Sequence, residues 1–312
     1  MNKISVVVPC FNEEDVLSVF YKKTSEVLNE IEGITYELLF VDDGSKDHTK
    51  DILRALSLKD EHCEFVSFSR NFGKEAAMFA GLKKSNGDYV VIMDADLQHP
   101  PSLLPELIDK WQKGFEVVYS VRRESCNQCF WKRKTSNLFY KIINWISGLS
   151  IPQGAADFRL LDRKAADVVV RFSEKVLFLR GLIHWMGFRQ CGVAYVPSKR
   201  FSGTSHYTFA KMMALALSGL FSFGVKPLRV ATFLGIITTF SGLFYGIYAL
   251  YQKLFNSMTI QGWTSLLVCM LLVGGVQLSI LGIIGEYIGM IFLETKRRPN
   301  YIIRESSFSA RD

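Results

Sequence analysis

One stretch of the chain joins a buried strand to a cluster of acids, and it reads Tyr89-Val90-Val91-Ile92-Met93-Asp94-Ala95-Asp96-Leu97-Gln98-His99-Pro100-Pro101. The uninterrupted apolar residues at its start predict a buried strand. Two prolines close the stretch, and proline is tolerated at the start of a helix but not inside a strand. Asp94 and Asp96 therefore follow directly after a strand and precede a helix.

This placement indicates what the two acids do. Open α/β sheets bind ligands at the carboxyl ends of their strands. Paired carboxylates at such a place suit a hard divalent cation that takes its other ligands from substrate phosphates. A polar turn whose acids cap the next helix is the alternative, although Asp94 comes before any capping position is needed.

The first two thirds of the chain alternate strands with helices. Further strands are predicted at residues 4–9, 36–41, 65–68 and 117–121, with amphipathic helices between them. This alternation indicates an α/β domain with a mainly parallel sheet. The second strand also ends in two acids, Asp42 and Asp43. Because no Gly-x-Gly-x-x-Gly follows the first strand, a dinucleotide-binding fold is disfavoured.

The last third of the chain carries two uncharged runs, residues 230–251 and 262–285. About 20 apolar residues span a membrane, so both runs are long enough; a buried helical hairpin in a soluble protein is the alternative. Basic residues flank the outer ends of the pair, whereas the connecting loop holds only Lys253. The positive-inside rule then places both termini and the N-terminal domain in the cytoplasm.

Charge and cysteine content narrow the protein class further. The net charge is +7, and its basic clusters lie beside apolar segments, which favours an anionic membrane surface over nucleic acid. Residues 131–146 and 205–226 predict amphipathic helices in the membrane interface, with a helix of a soluble core as the alternative. The six cysteines show no disulfide or zinc spacing, which predicts reduced thiols in the cytosol.

Several motifs in a fixed order resemble one enzyme family. They are Val8-Pro9-Cys10-Phe11-Asn12-Glu13, Asp42-Asp43-Gly44-Ser45, Arg70-Asn71-Phe72-Gly73-Lys74, Asp94-Ala95-Asp96-Leu97-Gln98 and Asp157-Phe158-Arg159-Leu160. This set resembles the inverting GT-A glycosyltransferases of the dolichol-phosphate-mannose synthase type. With two C-terminal spans, the chain is most similar to bacterial bactoprenol (polyprenyl-phosphate) glucosyltransferases of O-antigen modification.

The resemblance implies a fold and a domain organisation. The expected fold is α/β: a GT-A, Rossmann-like nucleotide-diphospho-sugar transferase domain with a mainly parallel sheet, plus two C-terminal transmembrane helices. Residues 1–225 would form the transferase domain with its interfacial helices. Residues 226–290 would form the membrane hairpin, and residues 291–312 a basic cytoplasmic tail. The location implied is the bacterial inner membrane.

The resemblance also implies a reaction and its site residues. A sugar, glucose by resemblance, passes from a nucleotide donor such as UDP-glucose to undecaprenyl phosphate with inversion. Asp157 is the implied catalytic base, and a Mg²⁺ or Mn²⁺ cofactor would be held by Asp94, Asp96 and Gln98. The implied donor site comprises Pro9, Asn12, Glu13, Asp42, Asp43, Arg70, Lys74 and Asp94. The anionic acceptor favours arginines near the membrane: Arg122, Arg133 and Arg200, with Lys211 as a weaker candidate.

Membrane lipids and a second copy of the chain are further expected partners, and nucleic acid is not expected. A different class of function is a non-catalytic membrane scaffold built on a degenerate transferase domain. The acids Asp43, Asp94, Asp96 and Asp157 discriminate between the two classes, because a scaffold has no physical need for acids at several strand ends.

The two-span topology predicts which residues a membrane-impermeant thiol reagent reaches. In a background without the native cysteines, a cysteine replacing Ser257 in the connecting loop should be labelled from outside intact cells. A cysteine replacing Ser306 should be labelled only after the membrane is permeabilised. Outside labelling at position 306 would refute the topology.

Overall fold

The computed structural model describes residues 2–122, 152, 154–172, 174–175, 178–196, 226–255 and 262–308. These residues fall into two compact units, one comprising residues 2–196 with 298–308 and the other residues 226–297. The predicted interfacial helix at 131–146 and residues 205–225 of the second lie outside the described residues, as do three predicted acceptor residues, Arg133, Arg200 and Lys211.

A single mixed sheet forms the centre of the first unit. Its strands are β1 (Asn2–Cys10), β2 (Ile34–Asp42), β3 (Cys63–Phe68), β4 (Tyr89–Ile92), β5 (Val117–Arg122), β6 (Ala155–Asp162), β7 (Gln190–Tyr195) and β8 (Ile303–Ser306). Their order across the sheet is β7-β5-β6-β4-β1-β2-β3-β8. β6 runs antiparallel to β4 and β5, and β8 runs antiparallel to β3. The remaining described strands share one direction, so the predicted mainly parallel α/β fold is confirmed.

Helices connect the strands and cover the sheet. In the first unit they are α1 (Leu17–Glu30), α2 (Thr49–Lys59), α3 (Lys74–Lys84), α4 (Leu104–Gln112), α5 (Arg163–Arg171) and α6 (Leu179–Trp185), with a short 3₁₀ turn at Pro101–Leu103 before α4. As the paired prolines predicted, the chain leaves β4 and enters a helix at Pro101.

Small residues let α3 approach the sheet closely. Most of the helix is buried, and its buried face includes Ala76, Ala77, Ala80 and Gly81. A Cβ atom added to Gly81 would lie 2.2 Å from Cγ1 of Val7 in β1. The helix therefore lies directly on β1, and its first residue, Lys74, is brought to the carboxyl ends of the parallel strands.

Three strands were not predicted from the sequence. β6 contains Asp157 and Arg159 in a central position of the sheet, where charged residues are unusual. β7 and β8 are short and lie at the two edges. β8 falls within the segment expected to be a basic tail, residues 291–312, so part of that segment completes the sheet of the first unit.

The second unit consists of two long helices, α7 (Lys226–Phe255) and α8 (Trp263–Thr295). Residues Leu228–Tyr248 and Leu272–Thr295 are long and apolar enough to cross a membrane. The second candidate span extends beyond the predicted run at 262–285. Glu286 therefore lies inside this span rather than after it, and its side chain is exposed on the helix surface.

Candidate active site

Asp94 and Asp96 lie just after the carboxyl end of β4. Leu97 has a positive φ of 58°, and the backbone N–H of Gln98 donates to Oδ1 of Asp96 at 3.0 Å. This tight turn keeps both carboxylates at the strand end, where each is half-buried. The side chain of Gln98 is half-buried beside them.

Lys74 joins Asp94 to Asp157. Its ammonium nitrogen lies 2.7 Å from Oδ1 of Asp94 and 2.9 Å from Oδ2 of Asp157. Burial alone would lower the pKa of Lys74, but the charges of Asp94 and Asp157 outweigh it and raise this pKa. The lysine therefore stays protonated and holds together two acids from different strands.

Asp157 is surrounded by cations. The guanidinium of Arg180 in α6 donates to its Oδ1 at 2.8 Å, and that of Arg159 lies 3.9 Å from the same oxygen. Burial raises the pKa of Asp157, yet Lys74, Arg180 and Arg159 together bring it well below its usual range. An acid held so firmly in its ionised form is a weak proton acceptor.

Two residues beside this cluster, one buried and one half-buried, were not predicted as site residues. His99 is buried, stacks on Phe158 with ring centroids 5.2 Å apart, and has a lowered pKa because of its burial. Glu75 accepts the backbone N–H of Leu179 at 3.2 Å, and burial with the charge of Asp157 raises its pKa to about 7. Glu75 thus anchors the start of α6, the helix that carries Arg180.

The acids at the end of β2 hold loops in place. Both oxygens of buried Asp42 accept hydrogen bonds, from Ser45 N–H at 2.9 Å and from the Ser67 hydroxyl at 2.6 Å. Asp43 accepts the N–H groups of Phe72 at 2.6 Å and Gly73 at 2.9 Å. Burial outweighs these bonds and raises the pKa of Asp43 to about 6.

The turns after β1 and β2 are tied together. The N–H of Asn12 donates to the Ser45 hydroxyl at 2.9 Å, and Oδ1 of Asn12 accepts the N–H of Lys46 at 2.9 Å. The N–H of Glu13 donates to the Thr49 hydroxyl at 2.8 Å. Pro9, the third predicted residue of this region, is buried in β1. Asn12 and Glu13 thus join the turns after β1 and β2 into one loop cluster.

A glycine brings that cluster onto the loop after β3. Gly44 has a φ of +69°, and a Cβ there would lie 2.4 Å from the backbone carbon of Arg70. The guanidinium of Arg70 lies over the Phe72 ring, 4.2 Å from its centroid. The loops after β1, β2 and β3 therefore meet at the carboxyl ends of these strands, next to Asp94.

The structure thus assembles most of the predicted site. Asp94, Lys74 and Asp157 are in direct contact, and the loops carrying Asn12, Asp43 and Arg70 pack together. Arg122 is exposed at the end of β5, where its N–H donates to the Gly154 carbonyl at 3.0 Å. Arg180 was not predicted, because it approaches Asp157 from α6, a helix that carries no motif of its own.

Comparison with known proteins identifies the family. Residues 5–170, more than half of the chain, match the model for glycosyl transferase family 2. The chain belongs to glycosyl transferase family 2. In this family 2 glycosyltransferase, residues 226–291 match a second model, the GtrB C-terminal hairpin.

Relatives of this glycosyltransferase match it over nearly the whole length. The uncharacterized glycosyltransferase YkcC of Bacillus subtilis (strain 168) is 45% identical over 97% of this chain and 93% of its own. The SfII prophage-derived bactoprenol glucosyl transferase of Shigella flexneri is 42% identical over 97% of this chain and 98% of its own. The resemblance to bactoprenol glucosyltransferases is therefore confirmed.

A weaker similarity links the chain to a solved structure. Glucosyl-3-phosphoglycerate synthase from Mycobacterium tuberculosis, in complex with Mn²⁺, UDP-glucose and phosphoglyceric acid, is 21% identical. The TM-score is 0.48, over 71% of this chain and 79% of that one.

The contacts of Lys74 predict the effect of removing its charge. Lys74→Met leaves the carboxylates of Asp94 and Asp157 without the cation between them. Because Lys74 is about one-third exposed, we expect the free energy of unfolding to fall by about 1–3 kcal/mol, less than for a fully buried pair. Thermal unfolding of the purified full-length protein measures the loss. Lys83→Met, on the exposed side of α3, is the matched control, and equal midpoints for the two variants would contradict the assignment.

Proposed function

We propose that this glycosyltransferase moves glucose from UDP-glucose to undecaprenyl phosphate, with inversion, at the cytoplasmic face of the bacterial inner membrane. The observation that carries the proposal is the near full-length similarity to a bactoprenol glucosyl transferase, which includes both the site and the hairpin. Two candidate membrane spans in the same chain support a lipid-linked acceptor. The product is a lipid-linked sugar that can serve O-antigen or cell-envelope modification.

The donor side of the reaction is assigned to the loop cluster. Asn12, Asp43 and Arg70 lie on loops that pack together at the carboxyl ends of the parallel strands. Open α/β sheets bind their ligands at this end of the strands. Pro9 and Asp42 are buried supports of these loops, and Glu13 extends the same turn. Arg70 carries the charge that faces the donor diphosphate, and Lys74 is the adjoining cation.

The residues at the end of β4 fit a divalent metal. Asp94, Asp96 and Gln98 provide oxygen ligands, which Mg²⁺ and Mn²⁺ prefer. The described residues contain no group of three or more His, Cys, Asp or Glu side chains placed to hold a metal ion. The substrate diphosphate and water would complete the coordination shell. Asp96 is the stronger ligand, because Lys74 already neutralises Asp94. Bound there, the metal would stabilise the charge that develops on the leaving diphosphate.

Asp157 is assigned an electrostatic role. The second pKa of a phosphate monoester is about 6, so the acceptor is largely dianionic at neutral pH and needs little deprotonation. The lowered pKa of Asp157 makes it a poor base but a persistent negative charge. We assign it to stabilising the positive charge that grows on the sugar ring and to orienting the acceptor through its cationic neighbours.

The acceptor side is assigned to basic residues and the membrane unit. Arg122 is exposed at the end of β5 and, with Arg133, Arg200 and Lys211, would bind the acceptor phosphate. We place catalysis in residues 1–225 together with the segment that contains β8, which joins the same compact unit, and anchoring in residues 226–290. Glu286, exposed inside a candidate span, is costly in lipid and is assigned to a contact between copies of the chain.

One experiment tests the reaction as a whole. The purified full-length protein is incubated with undecaprenyl phosphate and, separately, with radiolabelled UDP-glucose, UDP-galactose, UDP-N-acetylglucosamine and GDP-mannose. We expect label in the lipid fraction with UDP-glucose. Transfer of a different sugar would correct the donor, and no transfer from any donor would favour the non-catalytic scaffold.

The metal assignment predicts a chelator effect. Excess EDTA should abolish transfer, and added Mg²⁺ or Mn²⁺ should restore it. Asp96→Asn should reduce turnover by about 10²-fold or more, the scale of losing a group that stabilises developing charge, while the thermal midpoint stays near that of the wild type. Asp109→Asn, at an exposed position of α4, serves as the control. Full activity in excess chelator would contradict the assignment of a divalent metal to this site.

The role of Asp157 predicts a pH profile. Asp157→Asn should lower turnover about 10²-fold or more while UDP still binds. If the role is electrostatic, the ratio of wild-type to variant turnover should stay nearly constant above pH 7, because the acceptor is already ionised there. If Asp157 acted as a base, the residual activity of the variant would rise with pH. Asp167→Asn, exposed on α5, is the matched control.

A further inference from the structure

The segment that follows α8 pairs along the edge of β3. The N–H of Ser69 donates to the Ile302 carbonyl at 2.9 Å, and the N–H of Ser307 donates to the Phe65 carbonyl at 3.0 Å. At its other side, Glu305 accepts two N–H groups of the Arg54 guanidinium at 2.9 and 2.7 Å. The segment is therefore attached to both the sheet and α2.

An aromatic chain runs from this segment to the donor loops, and its members are Tyr301, Phe68 and Phe72. The Tyr301 ring stacks on Phe68 with centroids 5.0 Å apart and planes 14° apart. Phe68 is buried and meets Phe72 edge-on, with centroids 5.8 Å apart. Both geometries are favourable for aromatic pairs.

The aromatic chain ends at groups of the candidate active site. The guanidinium of Arg70 lies over the ring of Phe72. The backbone N–H of Phe72 donates to Oδ1 of Asp43 at 2.6 Å. Gly73 follows and also binds Asp43, and α3 then begins with Lys74. The loop of residues 70–73 is thus held by Asp43 on one side and by the aromatic chain on the other.

We infer that Tyr301 is a positioning residue for the donor site. Its ring fixes Phe68 and Phe72, and through them it holds the 70–73 loop ready for a nucleoside diphosphate. A loop ordered before the ligand arrives does not lose that freedom on binding, so affinity rises. The inference rests on the proposed function, since that function identifies the ligand of this loop as a nucleoside diphosphate.

The test measures the binding of UDP to the full-length protein in detergent by titration calorimetry. Tyr301→Ala should weaken UDP binding about three- to tenfold, the range expected for losing one aromatic pair. Tyr301→Leu keeps an apolar side chain without a stacking ring and should show the same direction, even if the alanine variant folds poorly. Tyr301→Phe should bind like the wild type.

A matched control separates the aromatic chain from the attachment of the segment. Glu305→Gln weakens the contact with Arg54 but leaves Tyr301 on Phe68, so UDP affinity should change by less than about twofold, as for an exposed ion pair. Hydrogen exchange of the peptide covering residues 70–74 supplies a second readout. It should quicken in Tyr301→Leu, and it should not quicken in Tyr301→Phe or Glu305→Gln.

The outcomes distinguish this inference from the proposed function. Unchanged UDP affinity in both Tyr301→Ala and Tyr301→Leu, or equal weakening in Glu305→Gln, would overturn the inference. A wild type that binds UDP, responds to Tyr301→Leu as expected and yet transfers no sugar would overturn the function and uphold the inference. A wild type that binds no UDP would overturn both.

Discussion

The ammonium of Lys74 is the interaction on which the site depends. Two carboxylates from different strands, Asp94 of the β4 end and Asp157 of β6, face each other in a largely buried space. Without a cation between them, their repulsion in a low-dielectric environment would separate the strand ends or force one acid to take up a proton. Lys74 removes that conflict, because its ammonium contacts both carboxylates at once.

The backbone of α3 fixes the position of Lys74. Because α3 uses alanine and glycine against β1, the helix lies closer to the sheet than larger residues would permit. Its first turn therefore begins at the carboxyl ends of the strands, with Lys74 as its first residue. Asp43 holds the residues immediately before the helix. The charge at Lys74 is thus placed by packing and by backbone hydrogen bonds, not by the long lysine side chain alone.

The sequence predicted β1 to β5 because each of these strands contains a short, mainly apolar run. It did not predict β6, since Asp157 and Arg159 interrupt the apolar pattern of a strand that is nevertheless central. Those charges are tolerated in the sheet because they meet partners from distant segments, among them Lys74 and Arg180. Arg180 and Glu75 could not be found from local patterns, because their roles arise only when α3 and α6 come together. Asp94 and Lys74 were predicted as site residues, but the direct contact between them required the structure.

The pairing of β8 with β3 has a consequence for biosynthesis. During synthesis the ribosome releases β1 to β7 first, and domains form from the N-terminal side as the chain emerges. The β3 edge is then open, with unpaired backbone groups of the kind that recruit other strands. Residue 303 leaves the ribosome and closes that edge only after α7 and α8 have been made. Completion of the sheet therefore follows synthesis of both candidate spans, so a nascent chain reaches its final sheet only once it carries these two apolar helices.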